Sequence, residues 1–139
     1  MRKVTLQAET LVEAGVPRKF WPLCPDTYFG SETALKQTIQ YIRRFDRVVK
    51  EASGLGLVLH GDPHTCKTFL GTHVVKCLLA RGKNCYYASL HDLGLQYLGK
   101  GKTEHQLRDL FGSHVDLVFI DDVEQTPHKS EANALYRVL

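Results

Sequence analysis

The sequence predicts an α/β domain in which helices cover a parallel β-sheet, and two features lead to that prediction. Short apolar, β-prone segments alternate along the chain with segments of helical periodicity, which is the order found in parallel sheets flanked by helices. In addition, polar segments directly follow the first and the last of the apolar segments. Ligands of such sheets bind beyond the carboxyl ends of the strands, so these two polar segments are candidates for a functional site.

The individual elements follow from length and periodicity. Apolar segments of strand length lie at residues 55–60, 85–89 and 116–120,. Helices are predicted at residues 32–50, 67–80, 91–98, 104–111 and 130–139. The first of these helices has an apolar residue at every third or fourth position, which predicts one buried side. That apolar stripe consists of Leu35, Ile39, Ile42, Phe45 and Val49.

Composition places the chain among ordinary globular domains. It has 139 residues, of which 43% are hydrophobic and 24% charged, as expected for one folded domain. Its net charge of +3 comes from scattered basic residues, and scattered charge fits nucleic-acid contact as well as a solvated surface. The cysteines form no C-x-x-C pair, and the sequence contains neither a signal peptide nor an apolar segment of membrane-spanning length. We therefore expect a cytoplasmic protein in a reducing compartment.

Residues 1–30 are predicted to form an arm laid over a domain that comprises residues 31–139. Prolines interrupt the second half of the arm, and aromatic residues give it anchors,. The indole of Trp21 either covers a bound ligand or packs the arm against the sheet. In the following helix Arg43, Arg44 and Arg47 lie mostly away from the apolar stripe, where they either contact DNA or form a solvated face.

The polar segment after the first predicted strand reads G-D-P-H-T-C-K-T and leads directly into a predicted helix. Its Gly61, Lys67 and Thr68 match the Walker A pattern G-x-x-x-x-G-K-[ST], in which a nest of backbone N–H groups holds phosphates at a helix N-terminus. Lys67 would reach the β- and γ-phosphate oxygens, and the hydroxyl of Thr68 would coordinate Mg²⁺. The alternative is an ordinary strand-to-helix turn. The predicted nucleotide-binding residues are Gly61, Asp62, Pro63, His64, Thr65, Cys66, Lys67, Thr68 and Phe69.

Cys66 takes the place of the second glycine of this pattern. If its φ angle is positive, the side chain costs about 1–2 kcal/mol. His64 also stands where related ATPases commonly have glycine. Together the two replacements would weaken nucleotide binding by about tenfold or more, or leave the loop misshaped.

The polar segment after the last predicted strand begins with Asp121 and Asp122, and they follow four apolar residues. This is the Walker B pattern. Asp121 would hold Mg²⁺ through water, and Asp122 would act on the attacking water as a general base. An acidic turn after a strand is the alternative, but the correct order of two motifs at two strand ends favours binding of ATP and Mg²⁺.

Four segments of the chain resemble the DnaC/DnaI/IstB-like group of AAA+ ATPases, which are bacterial helicase loaders and transposase helpers. They read AGVPRKF at 14–20, GLVLHG at 56–61, KTFL at 67–70 and DLVFIDDV at 116–123. The resemblance implies a P-loop NTPase fold of the AAA+ type, with three αβα layers. It also implies an ATP-dependent switch that acts on a replicative helicase or a transposase, contacts DNA and assembles with itself through the ATP sites.

The sequence departs from this family at two places. The family's loop reads GPPGTGKT, whereas this chain has Asp62, His64 and Cys66 at three of those positions. In addition, the family's sensor strand and arginine finger would lie beyond Leu139, so we expect an incomplete domain. In the AAA+ sheet the sensor strand separates the P-loop strand from the Walker B strand, and without it these two strands would face a gap. A P-loop fold with those two strands as neighbours is the alternative.

Three functions therefore stay open at this point. The first is an ATPase of the loader or transposase-helper type. The second is an adaptor that keeps the fold and a partner surface but does not hydrolyse ATP. The third is a small P-loop kinase acting on a metabolite. A metal site at His73 and Cys77 is not expected, because two ligands do not make a zinc site and Cys77 suits a core position.

Overall fold

The computed structural model describes residues 6–51, 56–95, 112 and 114–123. Over these residues the chain is a mixed α/β structure with a small parallel sheet. The helices are α1 (Ala8–Glu13), α2 (Glu32–Glu51), α3 (Lys67–Leu79) and α4 (Leu90–Leu95). The strands are β1 (Cys85–Ser89) and β2 (Leu117–Asp121), and short 3-10 helices lie at Arg18–Phe20 and Pro25–Thr27. No helix in the described ranges is both long and apolar enough to cross a membrane.

Helices α2 and α3 confirm the predictions for residues 32–50 and 67–80. Helix α2 follows Ser31, whose Oγ accepts a hydrogen bond from the N–H of Ala34 at 3.3 Å, as a serine N-cap does. Its apolar stripe faces the core at Ile42 and Phe45, whereas Val49 near its end is exposed. Helix α4 confirms the start of the helix predicted at 91–98. The helices predicted at 104–111 and 130–139 lie outside the described residues.

Strands β1 and β2 pair in parallel and in register, so that Ser89 lies opposite Asp121. This confirms the parallel pairing that the alternation of strands and helices predicts. Helix α3 packs on one face of the pair, with Gly71 directly against the ring of Phe119. The largest fully buried side chains are Phe45, Leu78, Val75, Thr38 and Thr72. The core lies between α2, α3, the sheet and the arm, which contributes the buried residues Leu11, Ala14 and Val16.

The arm lies along the outer edge of β1. The backbone N–H of Tyr87 donates a hydrogen bond to the carbonyl of Ala14 at 2.7 Å. At Gly15 the backbone has a φ of 71°, and a Cβ there would stand 2.7 Å from the carbonyl oxygen of Tyr87. Only glycine fits this contact without strain. Further along the arm, Lys76 on α3 donates hydrogen bonds to the carbonyls of Trp21 and Leu23, at 2.7 and 2.6 Å.

The prediction of a strand at 55–60 is wrong over the described part of this segment, because residues 56–60 form no strand. The physical reason is the lack of a neighbour: a strand is defined by ladder hydrogen bonds, and the two-stranded sheet of the described residues pairs β2 with β1 only. Val58, expected in a buried strand, is 88% exposed. The alternative fold, with the first and last predicted strands as neighbours, is therefore not found in this part of the chain.

A groove separates residues 56–59 from β2 where the gap was expected. It has a volume of about 430 Å³, including space open to solvent. Its walls are formed by Tyr41, Gly56, Leu57, Leu59, Gly71, Val74, Leu117, Val118 and Phe119. One edge of the sheet is thus covered by the arm, and the other borders this groove.

Candidate functional site

The loop before α3 keeps a tightly curved backbone although it has side chains at two positions where glycine is usual. Cys66 is the N-cap residue of α3 and has φ 64° and ψ 24°, and His64 has φ 63°. Both angles lie in the left-handed region, where a residue with a Cβ costs about 1–2 kcal/mol. The φ angle of Cys66 is therefore positive, which is the condition under which the sequence predicted a cost for its side chain. The loop has the strained conformation, and its energetic cost falls on these two residues.

Hydrogen bonds within the loop stabilise this conformation. The Nζ of Lys67 donates to the carbonyl oxygens of Gly61 and Asp62, both at 2.7 Å. The hydroxyl of Thr65 donates to the carbonyl of Asp62 at 2.7 Å. The ammonium group therefore lies across the loop, next to the first turn of α3. The N–H groups of that turn point outward from the helix N-terminus, where an anion is stabilised.

Thr68 and Asp121, the two predicted magnesium ligands, are in direct contact. The hydroxyl of Thr68 donates to Oδ1 of Asp121 at 3.0 Å, although 53 residues separate them in the sequence. Helix α3 positions the threonine one residue into its first turn, and β2 positions the aspartate as its last residue. Asp121 is nearly buried, at 9% exposure. One hydroxyl and one carboxylate thus meet beside the loop, as Mg²⁺ coordination in a P-loop requires.

Tyr87 belongs to this cluster but was not identified in the sequence. Its hydroxyl donates to Oδ2 of Asp121 at 2.7 Å. Burial raises the pKa of Tyr87, and the hydrogen bond and negative charge of Asp121 raise that pKa further. The sequence does contain a signal: Tyr87 lies two residues before the end of β1, and Asp121 lies opposite that end. That signal requires the strand register, which the sequence did not specify.

Asp122 follows the strand and has a different environment. It is exposed and has a φ of 56°, which aspartate adopts more readily than most residues. The chain therefore turns at Asp122, after the strand has ended at Asp121. The predicted general base is exposed at the carboxyl end of β2, while its neighbour is held between Thr68 and Tyr87.

Phe69 can contribute to a ligand site only through its backbone. Its side chain is 7% exposed and packs against the ring of Tyr28, with 5.1 Å between ring centroids. The indole N–H of Trp21 donates to the carbonyl of Val16 at 2.8 Å within the arm. The ring of Trp21 is partly buried against the hydrophobic core, which fits the packing of the arm considered for it.

The remaining candidate residues lie away from the loop. Arg43, Arg44 and Arg47 are exposed on α2. The Sγ of Cys77 lies 3.6 Å from Nε2 of His73, and burial lowers the pKa of His73. Among the described residues, no three His, Cys, Asp or Glu side chains converge as a metal-binding group. A P-loop magnesium ion does not require such a group, because phosphate oxygens and water complete its shell.

The chain matches no protein-family model, no curated protein and no solved structure. The resemblance to helicase loaders and transposase helpers is therefore a prediction from four sequence segments.

Proposed function

We propose that the chain is a P-loop protein that binds ATP and Mg²⁺ at the loop of residues 61–68. The observation that carries this proposal is the hydrogen bond between Thr68 and Asp121, at 3.0 Å. It brings the hydroxyl of the first motif to the carboxylate of the second motif, and the pair lies beside the N-terminus of α3. An accidental lysine–threonine turn has no reason to meet a strand-end aspartate from a distant segment.

The chain's own residues divide the binding work. Lys67 exchanges the carbonyls of Gly61 and Asp62 for phosphate oxygens, and the N–H groups of the first turn of α3 bind the same phosphates. Thr68 and Asp121 hold Mg²⁺, which neutralises phosphate charge. A hydroxyl has one donor and two lone pairs, so Thr68 can face the metal ion and still donate to Asp121.

The proposed biological role rests on the sequence resemblance. ATP binding acts as a conformational switch in an AAA+-type αβα domain. The partners are a replicative helicase or a transposase, with DNA contact and self-assembly through ATP sites. In this role the exposed carboxylate of Asp122 acts as the general base for ATP hydrolysis.

One observation favours a second function, that of an adaptor with impaired catalysis. His64 and Cys66 both have left-handed backbone angles, which residues with a Cβ adopt only at an energetic cost. In this version the domain keeps its fold and its partner surface, and ATP is bound weakly or without turnover.

Calorimetry with the full chain tests nucleotide binding. We expect wild-type protein to bind ATP in the presence of Mg²⁺ and Lys67→Ala to lose at least tenfold in affinity, because the phosphate charge is no longer paired. Lys36→Ala is the matched control, since Lys36 is exposed and forms an ion pair with Glu32 within α2. Equal affinities for the two variants, or no ATP binding by the wild type, would refute the proposal.

The double variant His64→Gly/Cys66→Gly separates the two functions. If the natural loop is impaired, glycine at both positions raises ATP affinity by about tenfold or more, because the two side chains no longer limit the approach of the phosphates to the loop backbone. An unchanged affinity shows that the natural loop already tolerates both side chains and favours the ATPase. Turnover is then measured in Asp122→Asn, which stops hydrolysis if Asp122 is the base.

A further inference from the structure

We propose that Tyr87 is a positioning residue for magnesium: its hydroxyl fixes the Asp121 carboxylate in the orientation that holds the ion. This inference rests on the proposed function, because it concerns the same site. It assigns a role to a residue that belongs to neither sequence motif. Tyr87 would touch neither the metal ion nor the nucleotide, and it would act through Asp121 alone.

The first argument is that each oxygen of the carboxylate has its own hydroxyl donor. Thr68 donates to Oδ1 at 3.0 Å, and Tyr87 donates to Oδ2 at 2.7 Å. Two donors on two oxygens fix the rotation of the carboxylate about its last bond, which one donor would leave free. The shorter of the two bonds is the one to Tyr87. This hydrogen bond engages Oδ2 of Asp121, so that Oδ1 faces Thr68 and the loop.

The second argument is that Tyr87 itself has little freedom to move. Its ring packs against those of Phe20 and Phe119, with centroids 6.1 and 5.4 Å away. The backbone N–H of Tyr87 donates a hydrogen bond to the carbonyl of Ala14, and Gly15 packs against the carbonyl of Tyr87. The hydroxyl is therefore presented to Asp121 by a fixed ring. A mobile donor would satisfy the carboxylate without orienting it.

The third argument concerns what this orientation does for metal binding. Groups that hold a metal ligand in place typically contribute about 10–100-fold to metal affinity. Asp121 is nearly buried, so water replaces a lost donor poorly. Without the Tyr87 hydroxyl, the carboxylate can rotate and must be ordered again when Mg²⁺ binds. The phosphate contacts of Lys67 and the helix N-terminus do not involve Tyr87 and are unaffected.

The test is the substitution Tyr87→Phe, which keeps the ring and its packing. Mg²⁺ is titrated into the full chain at fixed ATP, and the Mg²⁺ concentration at half-saturation is measured by calorimetry or with a fluorescent ATP analogue. We expect that concentration to rise about tenfold, while ATP affinity without metal stays unchanged. Tyr86→Phe is the matched control, because the neighbouring residue of a strand points to the opposite face.

A double-mutant cycle with Asp121→Asn then asks whether Tyr87 acts through the carboxylate. If it does, Tyr87→Phe has no further effect on Mg²⁺ dependence once Asp121 is replaced. If the role of Tyr87 is merely structural, Tyr87→Phe has a lower thermal midpoint but the same Mg²⁺ concentration at half-saturation as Tyr86→Phe. This result overturns the positioning role and leaves the proposed function in place. A wild-type chain that binds no ATP with Mg²⁺ overturns both this role and the proposed function.

Discussion

The two outer edges of the β1–β2 sheet differ in what lies beside them. On the β1 side, the arm approaches closely enough for the carbonyl of Ala14 to accept a hydrogen bond from Tyr87. On the β2 side, residues 56–59 stand across a groove of about 430 Å³. The arm was expected to lie over the domain and residues 55–60 to form a strand of the sheet. Of the described residues in these two segments, those of the arm contact the sheet by a backbone hydrogen bond, whereas residues 56–59 do not. Edge contact is therefore decided by which backbone groups can reach one another, and apolar composition alone does not decide it.

The largest expected effect tests the close contact on the arm side. Gly15→Ala places a Cβ 2.7 Å from the carbonyl oxygen of Tyr87 at a φ of 71°. We expect a loss of about 2–4 kcal/mol in the free energy of unfolding, from left-handed strain and displacement of the arm. Denaturant unfolding measures it.

Gly82→Ala is the matched control for that experiment. Gly82 has a φ of 75°, but a Cβ there meets no atom within 4 Å. It reports the backbone strain alone, about 1–2 kcal/mol. If Gly15→Ala is no more destabilising than Gly82→Ala, the arm does not press on β1 and the contrast between the two edges is lost.

A smaller effect is expected beside the groove. A Cβ at Gly71 would overlap the ring of Phe119, so Gly71→Ala overpacks the contact between α3 and β2. The cost is about 1–3 kcal/mol, reduced by up to about 1 kcal/mol because alanine is the better helix former. Because the groove borders this contact, the ring has space into which it can move, and we expect a net loss of about 1 kcal/mol in thermal or denaturant unfolding.

The double variant Gly71→Ala/Phe119→Leu checks the cause of that loss. Leucine removes the ring atoms that the new methyl group meets, so part of the stability should return. If the double variant loses as much free energy of unfolding as the two single variants together, or more, the ring of Phe119 is not the source of the strain.

The sequence predicted the local elements better than it predicted their neighbours. Helix α2 and helix α3 were predicted from periodic apolar residues, and the parallel orientation of β1 and β2 follows from the alternation of strands and helices. The same reasoning predicted a strand at 55–60, because its composition is β-prone. A strand needs hydrogen-bonding partners that the segment itself does not contain, so composition alone could not establish the strand.

The site shows the same division. The two motifs predicted Lys67, Thr68 and Asp121 as site residues. Each motif is local, and its residue types follow from phosphate and magnesium chemistry. Tyr87 was missed, since its contact with Asp121 depends on the register of two strands. The positive φ angle of Cys66 was expected only as a condition and that of His64 was not predicted, because non-glycine side chains at such positions contradict the usual preference.

The smallest expected change in the free energy of unfolding is at residues 56–59, which were predicted to lie in a strand. Val58 was predicted in a buried strand but is 88% exposed, whereas Val75 on α3 is 0% exposed. Val58→Ala should therefore change the free energy of unfolding by less than about 0.5 kcal/mol. The same substitution at Val75 should cost about 2 kcal/mol, because buried methyl groups are removed from a packed core. Comparable losses at both positions in denaturant unfolding would place Val58 in a packed sheet, and the second edge would then be covered like the first.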